Sequence, residues 1–407
     1  MSFQQGLSGL NAASKNLDVI GNNVANANTV GFKQSQTQFA DMFANSLSGS
    51  GGSQAGIGIK VAGISQQFSQ GSVTASSNPL DIAINGAGFY RLSDQGVISY
   101  SRNGQFHSDK DGYIVSTNGL HLTGYLANAA GQINTAAPVD LRISKADLPP
   151  TSTGQVTALV NLDARETALS PAAFNPTDPT TYHRSTSVPI YDSLGNPSTL
   201  STYFLKTAAN TWDVFASNDG TLLNGGASVG TLNFLPSGAL DPLSPSTFSL
   251  TAPITTGAVS PLTFNLDFAG TTQFGSAFGV NALSQDGYAS GQLTGFSVGD
   301  DGVIHGNYSS GKLLTLGQVA LATFANAQGL EARGDNTWKE SSASGTAIVG
   351  TPGTGGMGVL QSGALEDSNV ELTAELVNMI TAQRVYQANA QTIKTQDQLL
   401  QTMVNLK

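Results

Sequence analysis

The last forty residues, SNVELTAELVNMITAQRVYQANAQTIKTQDQLLQTMVNLK (368–407), contain neither glycine nor proline. A stretch so free of helix breakers predicts one long helix, about 60 Å at 1.5 Å per residue. Leu372, Leu376, Met379, Tyr386, Ala390, Ile393, Leu400 and Val404 share one heptad register, with Gln383 and Asp397 in the remaining slots. Beside this apolar seam runs a second row, Gln383, Gln387, Gln391, Lys394, Gln398, Gln401 and Asn405, roughly 100° around the helix. Ser368 and Glu371 match a capping box that would start it. A seam this narrow resembles a coiled-coil stripe and requires another helix to cover it.

The N-terminus repeats the design. Phe3, Leu7, Leu10, Leu17 and Val24 fall on one 3–4 register, with Ser14 and Gly21 between them. Ser2 and Gln5 fit a capping box, and Gly21 with Asn22 reads as a helix stop. The stripe then runs into an asparagine-rich block, NLDVIGNNVANANTVGFK (16–33).

Between the two ends the period changes to short strands and tight turns. Asn-Gly occurs at 85–86, 103–104, 118–119 and 224–225, and Asp-Gly at 111–112, 219–220, 286–287 and 301–302. These dipeptides supply the positive φ of two-residue hairpins, so the middle is read as mainly antiparallel β. Twelve of the 15 prolines lie between Pro149 and Pro261, which marks a separate β domain. The fold class is α+β. Two nested β domains, 72–147 plus 286–350 and an inserted outer domain at 148–285, carry terminal helices that pair as a coiled-coil-like inner domain (1–24 plus 368–407). A connector of 25–71 plus 351–367 joins them, with the Gly/Ser tracts 46–56 and 351–358 as hinges.

No motif supports catalysis or a cofactor. GNYSSGKL (306–313) follows the phosphate-loop pattern until Leu313 replaces the Mg²⁺-binding hydroxyl, and no helix follows. HSDKDG (107–112) resembles the start of a calcium loop, but His107 holds the first ligand position and Asn118 the twelfth. The four histidines, 107, 121, 183 and 305, lack ligand spacing. Asp300-Asp301 before Gly302 reads as a turn. A net charge of −10 and the lack of any basic run argue against nucleic acid or an anionic membrane as partner. There is no cysteine, and no apolar run approaches a membrane span. The N-terminus lacks the basic and apolar regions of a cleaved signal peptide.

The residues do carry a resemblance. NLDVIGNNVANANTVGFK, followed by FADMF (39–43), resembles the N-terminal signature of the bacterial flagellar axial proteins, and 368–407 resembles the matching C-terminal signature. Within that family, SRNGQFHSDKDGYIVSTNGLHLTGY (101–125) and GNYSSGKLLTLGQVALATFANAQGLEARGDNTW (306–338) are most similar to hook subunits. The resemblance covers roughly the first 145 and last 120 residues, and 148–285 is placed mainly by position.

The resemblance implies a structural, non-enzymatic subunit. It would be exported by the flagellar type III apparatus without a cleaved signal and polymerise helically into a curved extracellular tube. That tube would act as a universal joint between rod and filament and enclose the export channel. The implied partners are further copies of the chain, the distal rod, the hook cap and the hook–filament junction proteins. The terminal seams would then form subunit interfaces through Phe3, Leu7, Leu10, Leu17, Val24, Leu372, Leu376, Met379, Tyr386, Ile393, Leu400 and Val404. Phe32, Phe39, Met42, Phe43 and Phe68 would pack an irregular connector between neighbouring subunits. Gln383, Gln387, Gln391, Lys394, Gln398 and Gln401 are candidates to face the channel. The alternatives are another axial subunit such as the distal rod protein, a secreted β-rich binding protein on a helical oligomerisation stalk, and an export chaperone or assembly cap.

Overall fold

A computed structural model describes residues 2–42, 56–128, 131–144 and 146–405, with the side chains of Ser2 and Asn405 not described. Two helices, α1 (Ser2–Ala25) and α2 (Leu372–Asn405), bracket a chain otherwise built of strands. Contacts divide it into two compact units, one of 1–144, 295–306 and 314–407, the other of 145–294 and 307–313.

In the first unit, α1 and α2 lie antiparallel. A hairpin of β1 (Ser35–Met42) and β2 (Gly58–Gln66), antiparallel with a bulge at Gln38/Phe39, sits against α1. Half of the described residues of 25–71, read as an irregular connector, are therefore strand. Phe43 and most of the 46–56 tract lie outside the described residues. The unit's sheet runs through strands His121–Leu126, Phe89–Asp94, Val97–Ser101, Thr337–Lys339 and Glu331–Gly334, each antiparallel to the next. Phe89, Tyr100 and Trp338 form its aromatic core. The 351–358 tract is not a free hinge. Gly353, Gly355 and Gly356 adopt positive φ to make a turn, Met357 is buried, and Gly358 N donates to Ala87 O.

The second unit has two five-stranded sheets sharing one apolar core. The strand Gln155–Asp163 pairs parallel with Leu262–Asp267 and with Thr272–Phe274, a departure from the antiparallel pattern. Buried Trp212 gives its Nε1–H to Gln273 Oε1 at 2.7 Å. Six of the eight Asn-Gly and Asp-Gly glycines have positive φ. Gly104 and Gly287 do not, and serve close approach instead: a Cβ on Gly104 would lie 1.7 Å from Ile82 O, and one on Gly287 would lie 2.3 Å from Thr153 Oγ1.

Asp192 holds a turn of the second unit. Burial opposes its ionisation, but Thr256 Oγ1 at 2.5 Å, Asn196 Nδ2 at 3.0 Å and the Leu194 and Asn196 N–H groups at 2.9 Å more than compensate. Its carboxyl is held down at about 2, from an ordinary 3.8. A depressed carboxylate stabilises the fold above its unfolded value and loses that contribution as pH falls through the folded one. Asp192→Ala is expected to cost about 2 kcal/mol at neutral pH and much less near pH 2. Thermal unfolding at both pH values, with Gln273→Ala as a pH-independent comparison, checks this.

The terminal helices and their buried junction as the candidate assembly surface

Helix α1 passes through Gly21 and Asn22 and ends at Ala25, four residues beyond the predicted stop. The asparagines explain the ending. Asn26 N and Nδ2 both bond Asn22 O, closing the last turn. Asn23 is buried and pairs reciprocally with the backbone of Ser35, donating from Nδ2 at 2.8 Å and accepting at Oδ1 at 2.9 Å. The block thus ties the helix end to the first strand. Gly31 follows at φ +70°, where a Cβ would stand 2.6 Å from Asn103 N, so only glycine fits.

The capping box read at Ser2 rests on a side chain outside the described residues, and Gln5 Nε2 donates to Gly56 O at 2.6 Å. The one read at Ser368 does not form. Ser368 Oγ accepts from Val370 N, and α2 starts only at Leu372. Asn369 takes over the junction, its Oδ1 accepting from Gln34 N and its Nδ2 donating to Gln67 O.

The helix–helix contact within the chain uses small residues. On α1 the buried side is Gly6, Ala12, Ala13, Val19 and Ile20, and on α2 it includes Ala382. A Cβ on Gly6 would lie 3.1 Å from Ile393 Cγ1, and one on Gly9 would lie 2.7 Å from Asn389 Oδ1. Two interior glycines weaken an isolated helix by about 0.5–1 kcal/mol each, and close approach to α2 offsets that. The signal was present in the 3–4 spacing of Gly6, Gly9 and Ala13, which the leucine register overshadowed.

The predicted seams coincide with this contact at Ile393, beside Gly6. Phe3, Leu7, Leu372, Leu376, Tyr386, Leu400 and Val404 are exposed. Leu10, Leu17, Val24, Met379 and Ile393 are half-buried. Gln383, Gln387, Gln391, Lys394, Gln398 and Gln401 are all exposed. In the connector, Phe39 and Met42 are exposed and Phe32 is half-buried. Phe68 is half-buried and packs edge-on to Phe89 at 5.4 Å and Trp338 at 5.5 Å in its own chain.

Where helices meet sheet, three ionised side chains are almost fully buried. Lys33 Nζ donates to Glu366 Oε1 at 2.6 Å and to Ser69 O at 2.7 Å. Arg102 Nε lies 2.9 Å from Glu366 Oε2 as an ion pair outside hydrogen-bond alignment. Its Nη1 donates to Gly86 O and Gly88 O. Glu366 Oε1 also accepts from Gly71 N, and its backbone O accepts from Gly31 N. Burial pulls the Lys33 ammonium below its ordinary value, and the Glu366 carboxylate opposes that fall. No spacing rule could find a pair 333 residues apart.

The motifs that could have signalled chemistry are turns. Asp109 Oδ1 accepts from the N–H of Asp111 and Tyr113, and Tyr308 N donates to Lys312 O. Among the described residues no cluster of His, Asp or Glu could hold a metal ion, and no helix is long and apolar enough to cross a membrane.

Breaking the buried pair by removing its only anion strands two cations. Glu366→Ala is expected to cost about 3–5 kcal/mol. Lys33→Met leaves a balanced Arg102–Glu366 pair and is expected to cost clearly less. Denaturant unfolding of both variants gives the order, and equal losses would contradict this account.

Comparison with known proteins agrees with this architecture. Four family profiles match: the flagella basal body rod protein (residues 3–33), the flagellar hook protein FlgE/F/G D1 domain (83–158), the flagellar basal body protein FlaE D2 domain (161–288) and the flagellar basal body rod FlgEFG protein C-terminal region (361–406). The flagellar hook protein FlgE of Escherichia coli (strain K12) is 43% identical over 414 residues, covering 100% of both chains. That of Salmonella typhimurium is 44% identical with the same coverage. That of Borreliella burgdorferi is 36% identical, covering 100% of this chain and 99% of its own. The fold is shared with the crystal structure of Helicobacter pylori flagellar hook protein FlgE2, at a TM-score of 0.55 and 16% identity over 72% of this chain and 100% of that one. The chain therefore belongs to the flagellar hook protein FlgE family and is a structural subunit of the bacterial flagellar hook.

Proposed function

We propose that the chain polymerises helically into a curved tube that joins rod to filament as a universal joint and encloses the export channel. The observation that carries this is the apolar surface left on both terminal helices. Leu7, Leu372, Leu376, Val377, Ile380, Val385, Leu399 and Leu400 are each more than two-fifths exposed in the single chain. So many large apolar side chains exposed on two helices mark a surface for another chain to cover. A contact between unlike surfaces that does not close on itself makes an open polymer.

In this reading, 1–24 with 368–407 forms the inner tube and 25–71 with 351–367 the connector. Residues 72–147 with 286–350 form the first β domain, and 148–285 is the outer one. The small-residue faces pair α1 with α2 inside a subunit, and the leucine seams meet neighbouring copies. The amide row is exposed along α2, and Gln383, Gln387, Gln391, Lys394, Gln398 and Gln401 face the channel. Uncharged amides there let unfolded cargo pass without holding it. Export without a cleaved signal, through the flagellar type III apparatus, places the subunit outside the cell. The distal rod, the hook cap and the junction proteins adjoin the tube at its two ends.

Leu376→Asp tests the seams. Leu376 is 44% exposed, so its replacement leaves the monomer folded. A buried, unpaired carboxylate in a helix interface costs several kcal/mol. The expected outcome is a monomer of unchanged circular dichroism that forms no tubes under electron microscopy. Normal tubes from this variant would remove the seam from the assembly.

A further inference from the structure

The second unit buries both faces of one of its sheets. In the strands Pro197–Ala208 and Thr211–Asn218, Phe204, Trp212, Val214 and Ala216 enter the shared apolar core. Alternation sends Tyr203, Leu205, Phe215 and Ser217 to the other face. In a simple sandwich that face would meet solvent, yet Leu205, Phe215 and Ser217 are buried. The cover is the segment 164–183, which runs over the face as a series of turns around one 3₁₀ turn at Pro171–Ala173. Phe174 stacks on Phe215 with ring centroids 4.0 Å apart and stands edge-on to Tyr203 at 5.4 Å. Tyr182 meets Tyr203 edge-on at 4.9 Å.

The segment is fastened at both ends around one lysine. The antiparallel ladder between the strands Arg184–Tyr191 and Pro197–Ala208 ends at Arg184, opposite Phe204. Beyond it, the backbone groups of Lys206 still point to the side where the ladder would continue. Lys206 O accepts from Leu169 N at 2.8 Å, and Lys206 N donates to His183 Nδ1 at 3.1 Å. His183 Nε2 lies 2.8 Å from Thr167 O. The Lys206 ammonium, on a buried side chain, donates to Ala164 O at 2.6 Å and to Glu166 O at 2.9 Å.

These partners fix the state of the His183 ring. A peptide N–H only donates and a peptide oxygen only accepts, so Nδ1 carries the lone pair and Nε2 the proton. The ring is neutral, with both bonds made. A second proton, on Nδ1, would set N–H against N–H and break the bond to Lys206. It would also add positive charge beside Lys206 and beside Arg184, whose Nη1 donates to His183 O at 2.8 Å. Glu166, on the segment, lies 3.3 Å from Arg184 Nη2, and Asp163 is engaged by Arg165 at 2.7 Å. From the third strand the ring meets Trp212, edge-on at 5.3 Å, and Asp213 beyond it accepts from Thr231 Oγ1.

We infer that 164–183 is a strap over this sheet face, held shut by the neutral His183 ring and loosened when the ring takes a second proton. The open strap binds that proton and the closed one does not, so closure strengthens as pH rises through the imidazole range. Loosening brings the aromatic face of Tyr203 and Phe215 to water. In the extracellular position proposed above, the ring meets the pH of the medium directly. The strap belongs to a single chain and does not depend on the tube.

Amide hydrogen exchange of the full-length monomer tests this at about pH 8 and about pH 5, on either side of the ordinary imidazole value of about 6.5. After correction for intrinsic exchange, the Leu169 and Lys206 amides are expected to lose about tenfold in protection at the lower pH, the worth of one lost hydrogen bond. Val214, in the core of the same sheet, is expected to change little. His183→Gln keeps an uncharged side chain with an acceptor and a donor. It is expected to abolish the difference between the two pH values while leaving the strap closed. Equal strap protection at both pH values in the unaltered chain, or a loss of the same size in His183→Gln, would overturn the inference. A loss shared equally by Val214 would overturn it as well, because the whole unit would then be opening.

Discussion

Everything in the first unit converges on Glu366. One carboxylate holds Lys33 from the segment after α1, Arg102 from the sheet and the Gly71 N–H from the end of the connector. The strand that carries it, Ala364–Glu366, pairs antiparallel with Val73–Ala75. Two buried cations about one buried anion are an expensive arrangement in a low-dielectric interior. Removing the anion would strand both cations, so all three segments depend on this one carboxylate. Gly31 N bonding to Glu366 O and Asn369 bridging Gln34 and Gln67 extend the same knot toward the helices.

This knot changes what the terminal segments are mechanically. Flexible tethers would let the helices wander relative to the sheet. Instead the path from Asn23 through Ser35 to the first strand, and from Glu366 to α2, is bonded at nearly every step. Phe68 wedged against Phe89 and Trp338 adds an apolar clamp, and Trp338 Nε1 donates to Gln66 Oε1 at 2.5 Å. In the proposed tube, this root joins the helices that meet neighbouring copies to the sheet.

Much of this was legible in the sequence. The two helices were evident from 3–4 periodicity and the lack of breakers in 368–407, and the hairpins from Asn-Gly and Asp-Gly. The family was evident from the paired terminal signatures. The misreadings share a cause. Gly21-Asn22 has the composition of a helix stop, yet the helix runs on to Ala25, where Asn26 bonds Asn22 O and Asn23 ties the end to Ser35. Ser368-x-x-Glu371 has the composition of a capping box, yet Asn369 is needed by Gln34 and Gln67, so the helix starts later. Tertiary partners competed for the same polar groups and prevailed.

The sequence by itself determined that the two ends are helical, that most of the middle is strand, and which stripes are apolar, because those properties depend on neighbours within a few residues. Only the tertiary structure decided what each stripe meets. Periodicity reveals that Leu7 and Leu376 share seams with like residues, but it cannot say that Gly6, Gly9 and Ala13 permit a closer approach and so claim α2 first. Nor can any local pattern reveal that Lys33 will find Glu366 across 333 residues. That contact exists only once two ends of the chain have been brought together around a sheet, and closure of the chain is a property of the whole fold.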